Sequence, residues 1–227
     1  MKFYSTQNKS LRAGFREATI KGQPEERGLY FPCNIPDQSV LLKNSLDGFS
    51  NEEIAFQFLN PYTADDIPKP KLEKIINDAL SFEFPLIHIT GSIASLELFH
   101  GPTLAFKDVG ARFMSRCLGY FAETENRRTT VLVATSGDTG GAVADAFNDV
   151  DGVEVIILFP DGKVSSIQET QLTTHGENVY ALAVEGNFDD CQQMVKRAFT
   201  DTDLQKKLHL TSANSINVAR WLPQQVY

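Results

Sequence analysis

The sequence is poor in the residues that staple small domains or bind metals. Its three cysteines, Cys33, Cys117 and Cys191, form no CxxC pair and stand apart from any histidine cluster. That gives zinc no ligand spacing and leaves reduced thiols of a cytosolic protein as the plain reading. His88, His100, His175 and His209 have no metal-ligating spacing either, so no metal is expected. No apolar run reaches the ~18 residues of a membrane span, and the opening Met-Lys-Phe-Tyr-Ser-Thr-Gln lacks the apolar stretch of a secretory signal. No membrane partner is expected, and the cytoplasm is the expected location. Positive charge is also scarce: 21 Lys and Arg against 29 Asp and Glu give a net charge of −8. Broad nucleic-acid binding needs a basic surface and is excluded as an expectation. A small anionic substrate is not, because a few local Arg, Lys and backbone N–H groups suffice to hold one.

What is present is an ordinary globular composition, 42% hydrophobic and 22% charged over 227 residues. The early part is rich in turn signals, among them Gly22-Gln23-Pro24, Asn34-Ile35-Pro36-Asp37 and Pro68-Lys69-Pro70. Short helical patterns lie between them. Ser50-Asn51-Glu52-Glu53 ahead of Ile54, Ala55, Phe56 and Phe58 predicts a capped helix. Leu72, Ile75, Ile76, Ala79 and Leu80 predict another over Pro70–Phe82. From Thr129 the pattern changes to apolar strands at Thr129–Thr135, Val153–Phe159, Val179–Val184 and Leu208–Ser212. Helices at Gly140–Phe147, Val164–Gly176 and Asp189–Thr200 alternate with them. That alternation predicts an open, mostly parallel α/β sheet with flanking helices. The final Gln224-Gln225-Val226-Tyr227 falls inside what reads as a new helix, so a fragment is expected.

Three stretches carry chemistry. In His100-Gly101-Pro102-Thr103-Leu104-Ala105-Phe106-Lys107-Asp108, a Gly-Pro turn leads into a helix with Phe106, Val109, Phe113 and Met114 on one face. Lys107 then sits in its first turn, where partial burial and the helix N-terminus both favour the neutral, nucleophilic amine. In Ala134-Thr135-Ser136-Gly137-Asp138-Thr139-Gly140-Gly141-Ala142, a glycine loop joins a strand to a helix. Its N–H groups and the Ser136 and Thr139 hydroxyls suit a carboxylate or phosphate. The spacing is neither that of a P-loop nor GxGxxG. In Thr211–Arg220, a strand feeds a polar turn bearing Asn214, Ser215 and Arg220, at the sheet edge where α/β proteins bind ligands. Each has a plainer reading alone: a surface lysine, a tight βα turn, and an N-cap with a solvated arginine. Glu185–Asp190 reads as a helix cap rather than a metal loop. His100 reads as a packing residue.

Taken together and in order, the stretches resemble the threonine synthase family of fold-type II pyridoxal-phosphate enzymes. Lys107 lies in a block similar to HGPTxAFKD, Ser136–Gly140 is similar to SG(D/N)TG, and Asn214–Arg220 to NSxNxxR. Tyr4-Ser5-Thr6, Gly28-Leu29-Tyr30 with Pro32, Gly162–Ser165 and Glu185–Asp190 add support. The likeness spans essentially the whole chain, in the long form of the family. It implies a tryptophan-synthase-β-like fold, incomplete here, behind an α+β N-terminal domain. The implied division is an N-terminal domain at 1–95, the start of a large lysine-bearing domain at 96–128, a smaller open α/β domain at 129–209, and a return to the large domain at 210–227.

The resemblance implies that Lys107 holds pyridoxal 5′-phosphate as a Schiff base and then serves as the proton-transfer base. Phe106 and Asp138 would lie near the cofactor ring, although an anionic Asp138 should repel a substrate carboxylate unless protonated or turned away. Ser136 and Thr139 would bind the substrate carboxylate or phosphate. Asn214, Ser215 and Arg220, with Lys163, would bind the phosphate of O-phospho-L-homoserine, which reacts with water to give L-threonine and phosphate, the last step of threonine biosynthesis. The family's glycine-rich cofactor-phosphate loop and the hydroxyl facing the pyridine nitrogen follow the NSxNxxR turn and have no counterpart in residues 1–227. The chain alone is therefore expected to be inactive. A monomer and a homodimer both remain open. The alternatives are a related phospholyase or dehydratase, or a catalytically inactive α/β anion-binding or assembly module.

Overall fold

The computed structural model describes residues 1–43, 46 and 48–227. Three short strands open the chain: β1 (Phe3–Ser5), β2 (Arg12–Ala13) and, after helix α1 (Phe15–Lys21), β3 (Tyr30–Pro32). They form an antiparallel sheet in the order β2-β1-β3. Three helices follow: α2 (Ser39–Lys43), α3 (Asn51–Thr63) and α4 (Lys69–Ala79). The expected cap of α3 is formed: Ser50 Oγ accepts from the Glu53 N–H at 3.2 Å, and the Glu53 carboxylate accepts from the Ser50 N–H at 2.8 Å. Two N–H groups that the helix start would leave unpaired are thereby satisfied. Helix α4 buries the predicted stripe of Leu72, Ile75, Ile76 and Ala79.

A hairpin of β4 (Leu86–Thr90) and β5 (Ile93–Leu96) comes next, with Gly91 at φ +48° in its two-residue turn. The lysine segment then leads into the long helix α5 (Asp108–Glu125). Val109, Phe113 and Met114 face the core as predicted, but Phe106 does not. It lies before the helix and is half exposed. Lys107 stands at the cap position instead of in the first turn. The helix starts later than the pattern predicts, because Leu104 takes a left-handed φ of +59° and the Asp108 N–H closes a turn on the Ala105 carbonyl.

The remaining elements alternate: β6 (Thr129–Ala134), α6 (Asp138–Phe147), β7 (Val153–Pro160), α7 (Ser166–Thr173), β8 (Val179–Val184), α8 (Phe188–Thr200), α9 (Thr202–Lys207), β9 (Leu210–Thr211) and α10 (Val218–Trp221). A final 3₁₀ turn covers Leu222–Val226. The four strands form the expected parallel sheet, in the order β8-β7-β6-β9. From β6 the chain winds outward through β7 and β8, then returns to place β9 on the other side of β6. The crevice beyond the carboxyl ends of β6 and β9 is therefore a topological switch point, the place where such sheets bind ligands. The Glu185–Asp190 stretch is a helix cap, as predicted. Asn187 Oδ1 accepts from the Asp189 and Asp190 N–H groups, and the Asp190 carboxylate accepts from the Asn187 N–H at 2.8 Å.

One continuous core joins the N-terminal elements to the sheet. At its centre Phe15, fully buried, places its ring 6.3 Å from Phe3, 6.4 Å from Phe113 and 6.3 Å from Phe121. Aromatic pairs in tilted and edge-on arrangements add to the area they bury. Helices α5 and α10 approach so closely that a Cβ on Gly110 would stand 2.5 Å from the Arg220 carbonyl oxygen. The lysine helix is thus gripped by both the first and the last segments of the chain.

Candidate active site

Lys107 emerges at the mouth of α5 with its side chain 24% exposed. It borders a cavity of about 440 Å³ lined by Leu96, Leu98, Phe99, Phe106 and Asp138 among others. Lys107 Nζ lies 4.9 Å from the centre of the Phe106 ring and 3.8 Å from Asp138 Oδ2. The lysine segment and the glycine loop, separated in sequence, therefore meet as one site.

The loop after β6 owes its shape to a residue that the motifs alone do not single out. Thr135 Oγ1 accepts from the N–H groups of Gly137 at 3.0 Å and Gly140 at 2.8 Å, and lies 3.1 Å from the Gly137 carbonyl. Among the described residues, the N–H groups of Ser136, Asp138 and Thr139 at the start of α6 are left without an acceptor. A helix start with such N–H groups attracts anions. Ser136 is exposed and Thr139 half-buried beside them. Asp138 lines the cavity with both oxygens engaged: Oδ1 accepts from Gln168 Nε2 at 2.8 Å and Oδ2 faces Lys107. Both oxygens already face donors, which offsets the repulsion its charge would otherwise impose.

Gln168 also closes the cap of α7, its Oε1 accepting from the Ser165 N–H at 3.1 Å. The Ser165-x-x-Gln168 spacing was a legible signal for it. Gly137 adopts φ +144°, and a Cβ there would stand 2.3 Å from Gln168 Nε2. Gly137→Ala is expected to cost about 1–3 kcal/mol through backbone strain alone. Urea unfolding monitored by circular dichroism reads that loss as a lower midpoint.

The third stretch divides. Asn214 and Ser215 are exposed just past β9, the strand that pairs with β6, and neither is among the residues that line the Lys107 cavity. Arg220 is only 2% exposed. Its Nη1 donates to the Ala213 carbonyl at 2.7 Å, its Nε has no partner among the described residues, and burial lowers its pKa to about 10. It holds the turn from beneath through the Ala213 carbonyl. Asn217, also buried, caps α10 and donates to the Thr19 carbonyl at 2.8 Å, tying the turn to α1. Lys163 is exposed in the β7–α7 loop and is not among the residues that line the Lys107 cavity. His100 stacks on Phe99 at 5.0 Å and pairs with Glu97 at 2.7 Å.

Residues 90–225 match the model of the pyridoxal-phosphate dependent enzyme family. The chain belongs to that family. Lys107, the β6–α6 loop and the Asn214 turn all lie in the matched region, and residues 2–80 match the threonine synthase N terminus model. Among curated relatives of this pyridoxal-phosphate family member, threonine synthase of Buchnera aphidicola subsp. Baizongia pistaciae is 43% identical over 231 residues, and that of Escherichia coli K12 is 40% identical over 227. Each match covers 100% of this chain and 53% of the relative, so the chain spans about half their length. The fold is also that of solved structures. PLP-bound threonine synthase from Brucella melitensis superposes with a TM-score of 0.94 at 40% identity, covering 100% of this chain and 50% of that one. Threonine synthase from yeast gives 0.91 at 37%, covering 100% and 48%.

Proposed function

We propose that this chain carries the lysine side of a threonine synthase site, acting on O-phospho-L-homoserine and water to give L-threonine and phosphate. The observation that carries the proposal is the meeting of the Lys107 amine with the α6 helix start, 3.8 Å from Asp138, in one cavity. The residues present fit pyridoxal phosphate: a primary amine for its aldehyde carbon, and apolar walls from Phe106 and Leu96 for its ring. When bound, the cofactor supplies an electron sink for carbanions.

In this reading Lys107 Nζ would hold the cofactor and, as a free amine, would move protons at the substrate Cα and Cβ. Ser136 and Thr139, with the N–H groups around them, bind the carboxylate or phosphate at the positive end of α6. Asn214 and Ser215 face the substrate phosphate across the switch point, with Lys163 on the neighbouring loop. Arg220 supports them by fixing Ala213, its positive charge acting from below. Phe106 shields the amine from water. The protein then works in the cytoplasm, at the last step of threonine biosynthesis, as a monomer or a homodimer.

The test is spectroscopic and chemical. Full-length protein purified with pyridoxal phosphate should absorb in the visible, lose that band on borohydride reduction with mass added at Lys107, and release phosphate from O-phosphohomoserine. Colourless protein that releases no phosphate would overturn the reading in favour of an anion-binding module. A coloured protein that leaves O-phosphohomoserine intact but eliminates from other substrates would point to a sibling lyase.

A further inference from the structure

The loop that presents Lys107 has little packing of its own. Leu104 is 71% exposed, Phe106 is half exposed, and Leu104 holds a left-handed φ. What fixes the loop is the residue after the lysine. Asp108, 1% exposed at the first position of α5, folds its carboxylate back across the loop. Oδ2 accepts from the Thr103 N–H at 3.0 Å, and Oδ1 accepts from the Thr103 hydroxyl. This is not a helix cap, because the acceptor lies inside the helix and the donor five residues before it. Gly101 lies so close that a Cβ there would stand 2.4 Å from Oδ2. Lys107 is bracketed by the Asp108 N–H donating to the Ala105 carbonyl and the Ala111 N–H donating to its own carbonyl, both at 3.0 Å. Farther back, the Tyr227 hydroxyl donates to the Phe106 carbonyl at 2.8 Å. A buried carboxylate is costly to desolvate and is tolerated where its hydrogen bonds are made.

We propose that Asp108 and Thr103 form a clamp that positions Lys107, holding its amine at the Asp138 side of the cavity. Asp108 is a positioning residue, not a catalytic one, because both its oxygens are turned to Thr103 and away from the cavity. The inference rests on the reading of Lys107 as the cofactor-bearing lysine. Displacing a reacting group by about 1 Å can cost on the order of 100-fold in rate, and a slack loop allows such a displacement.

Thr103→Val keeps the shape and the backbone bond but removes the hydroxyl, whereas Thr103→Ser restores it. In full-length protein loaded with pyridoxal phosphate, the valine variant should lose about 100-fold in kcat with KM for O-phosphohomoserine held. The pH midpoint of its visible band should also shift, while the serine variant behaves as the parent. In the cofactor-free protein, amide hydrogen exchange over Leu104–Lys107 should rise about tenfold or more in the valine variant, with Phe113–Leu118 unchanged. Parent-like kcat and parent-like exchange in Thr103→Val would overturn the clamp. If Thr103→Val loosens α5 as well, Asp108→Asn, which keeps the shape and one acceptor oxygen, takes its place in the same two measurements. Slower turnover with faster loop exchange supports the clamp there too, and parent-like values in both overturn it. If the parent carries no borohydride-reducible cofactor, the proposed function fails while the exchange experiment still decides the clamp.

Discussion

Lys107→Ala in the full-length protein is expected to abolish threonine formation, lowering turnover by at least about 10³-fold, as befits loss of a group that both holds the cofactor and moves protons. Lys107→Arg should be as inactive. Arginine keeps the positive charge beside Asp138, but its guanidinium stays protonated at any working pH. It therefore offers no free amine to an aldehyde and no base to a carbon acid. A role limited to charge balance at Asp138 would instead leave the arginine variant largely active. Phosphate release from O-phosphohomoserine measures the loss, and borohydride trapping separates its cause, since neither variant should gain mass at position 107. Both variants should fold as the parent does, because the lysine contributes one long, partly exposed ion pair, an interaction worth at most about 1 kcal/mol. An arginine variant that turned over normally would end the assignment of Lys107.

The second large effect is on stability. Phe15→Ala is expected to destabilise the protein by about 3–5 kcal/mol, the usual cost of truncating a fully buried phenylalanine. Its ring meets Phe3 of the first sheet and Phe113 and Phe121 of the lysine helix at once, so the cavity left behind has walls in separate elements and collapses poorly. Urea unfolding should show a lower midpoint at an unchanged slope. Ile35→Ala is the control: Ile35 is 65% exposed, and a change of within about 0.5 kcal/mol is expected there.

Much of the α/β portion was legible because its two central strands, β6 and β7, are largely buried. Val131, Val133, Val155 and Ile157 leave apolar runs that no surface element would carry. Helix starts at Ser50 and Asn187 were legible because capping chemistry is local. The N-terminal sheet was not, since strands of two and three residues are too short to show a period. The β4–β5 hairpin did leave a signal, Thr90-Gly91-Ser92 between runs containing Ile87, Ile89 and Ile93, of the kind that marks a tight turn. In the site, Lys107 and Asp138 could be named from their motifs and their sharing of one site from the resemblance, but not their direct ion pair. It depends on how α5 and α6 pack. The burial of Arg220 has no local signature, because it depends on how α10 packs against α5. Asp108 and Thr103 stand in the lysine motif, yet a hydrogen bond running backwards across a loop has no periodicity to betray it.

The grip that both ends of the chain keep on α5 has a consequence for how the molecule is made. A ribosome delivers the β1–β3 sheet and helices α1, α3 and α4 first, and domains generally fold as units from the N-terminus. Here the first unit cannot be finished first. Phe15 gains two of its three aromatic neighbours only when α5 appears, and the Thr19 carbonyl gains its partner only when Asn217 has been added. The turn at Leu222–Val226 is needed as well, to lie against α3. The earliest segment to leave the tunnel thus waits for α5 and α10 before it closes, and during elongation its phenylalanines are the surface a chaperone would find to hold.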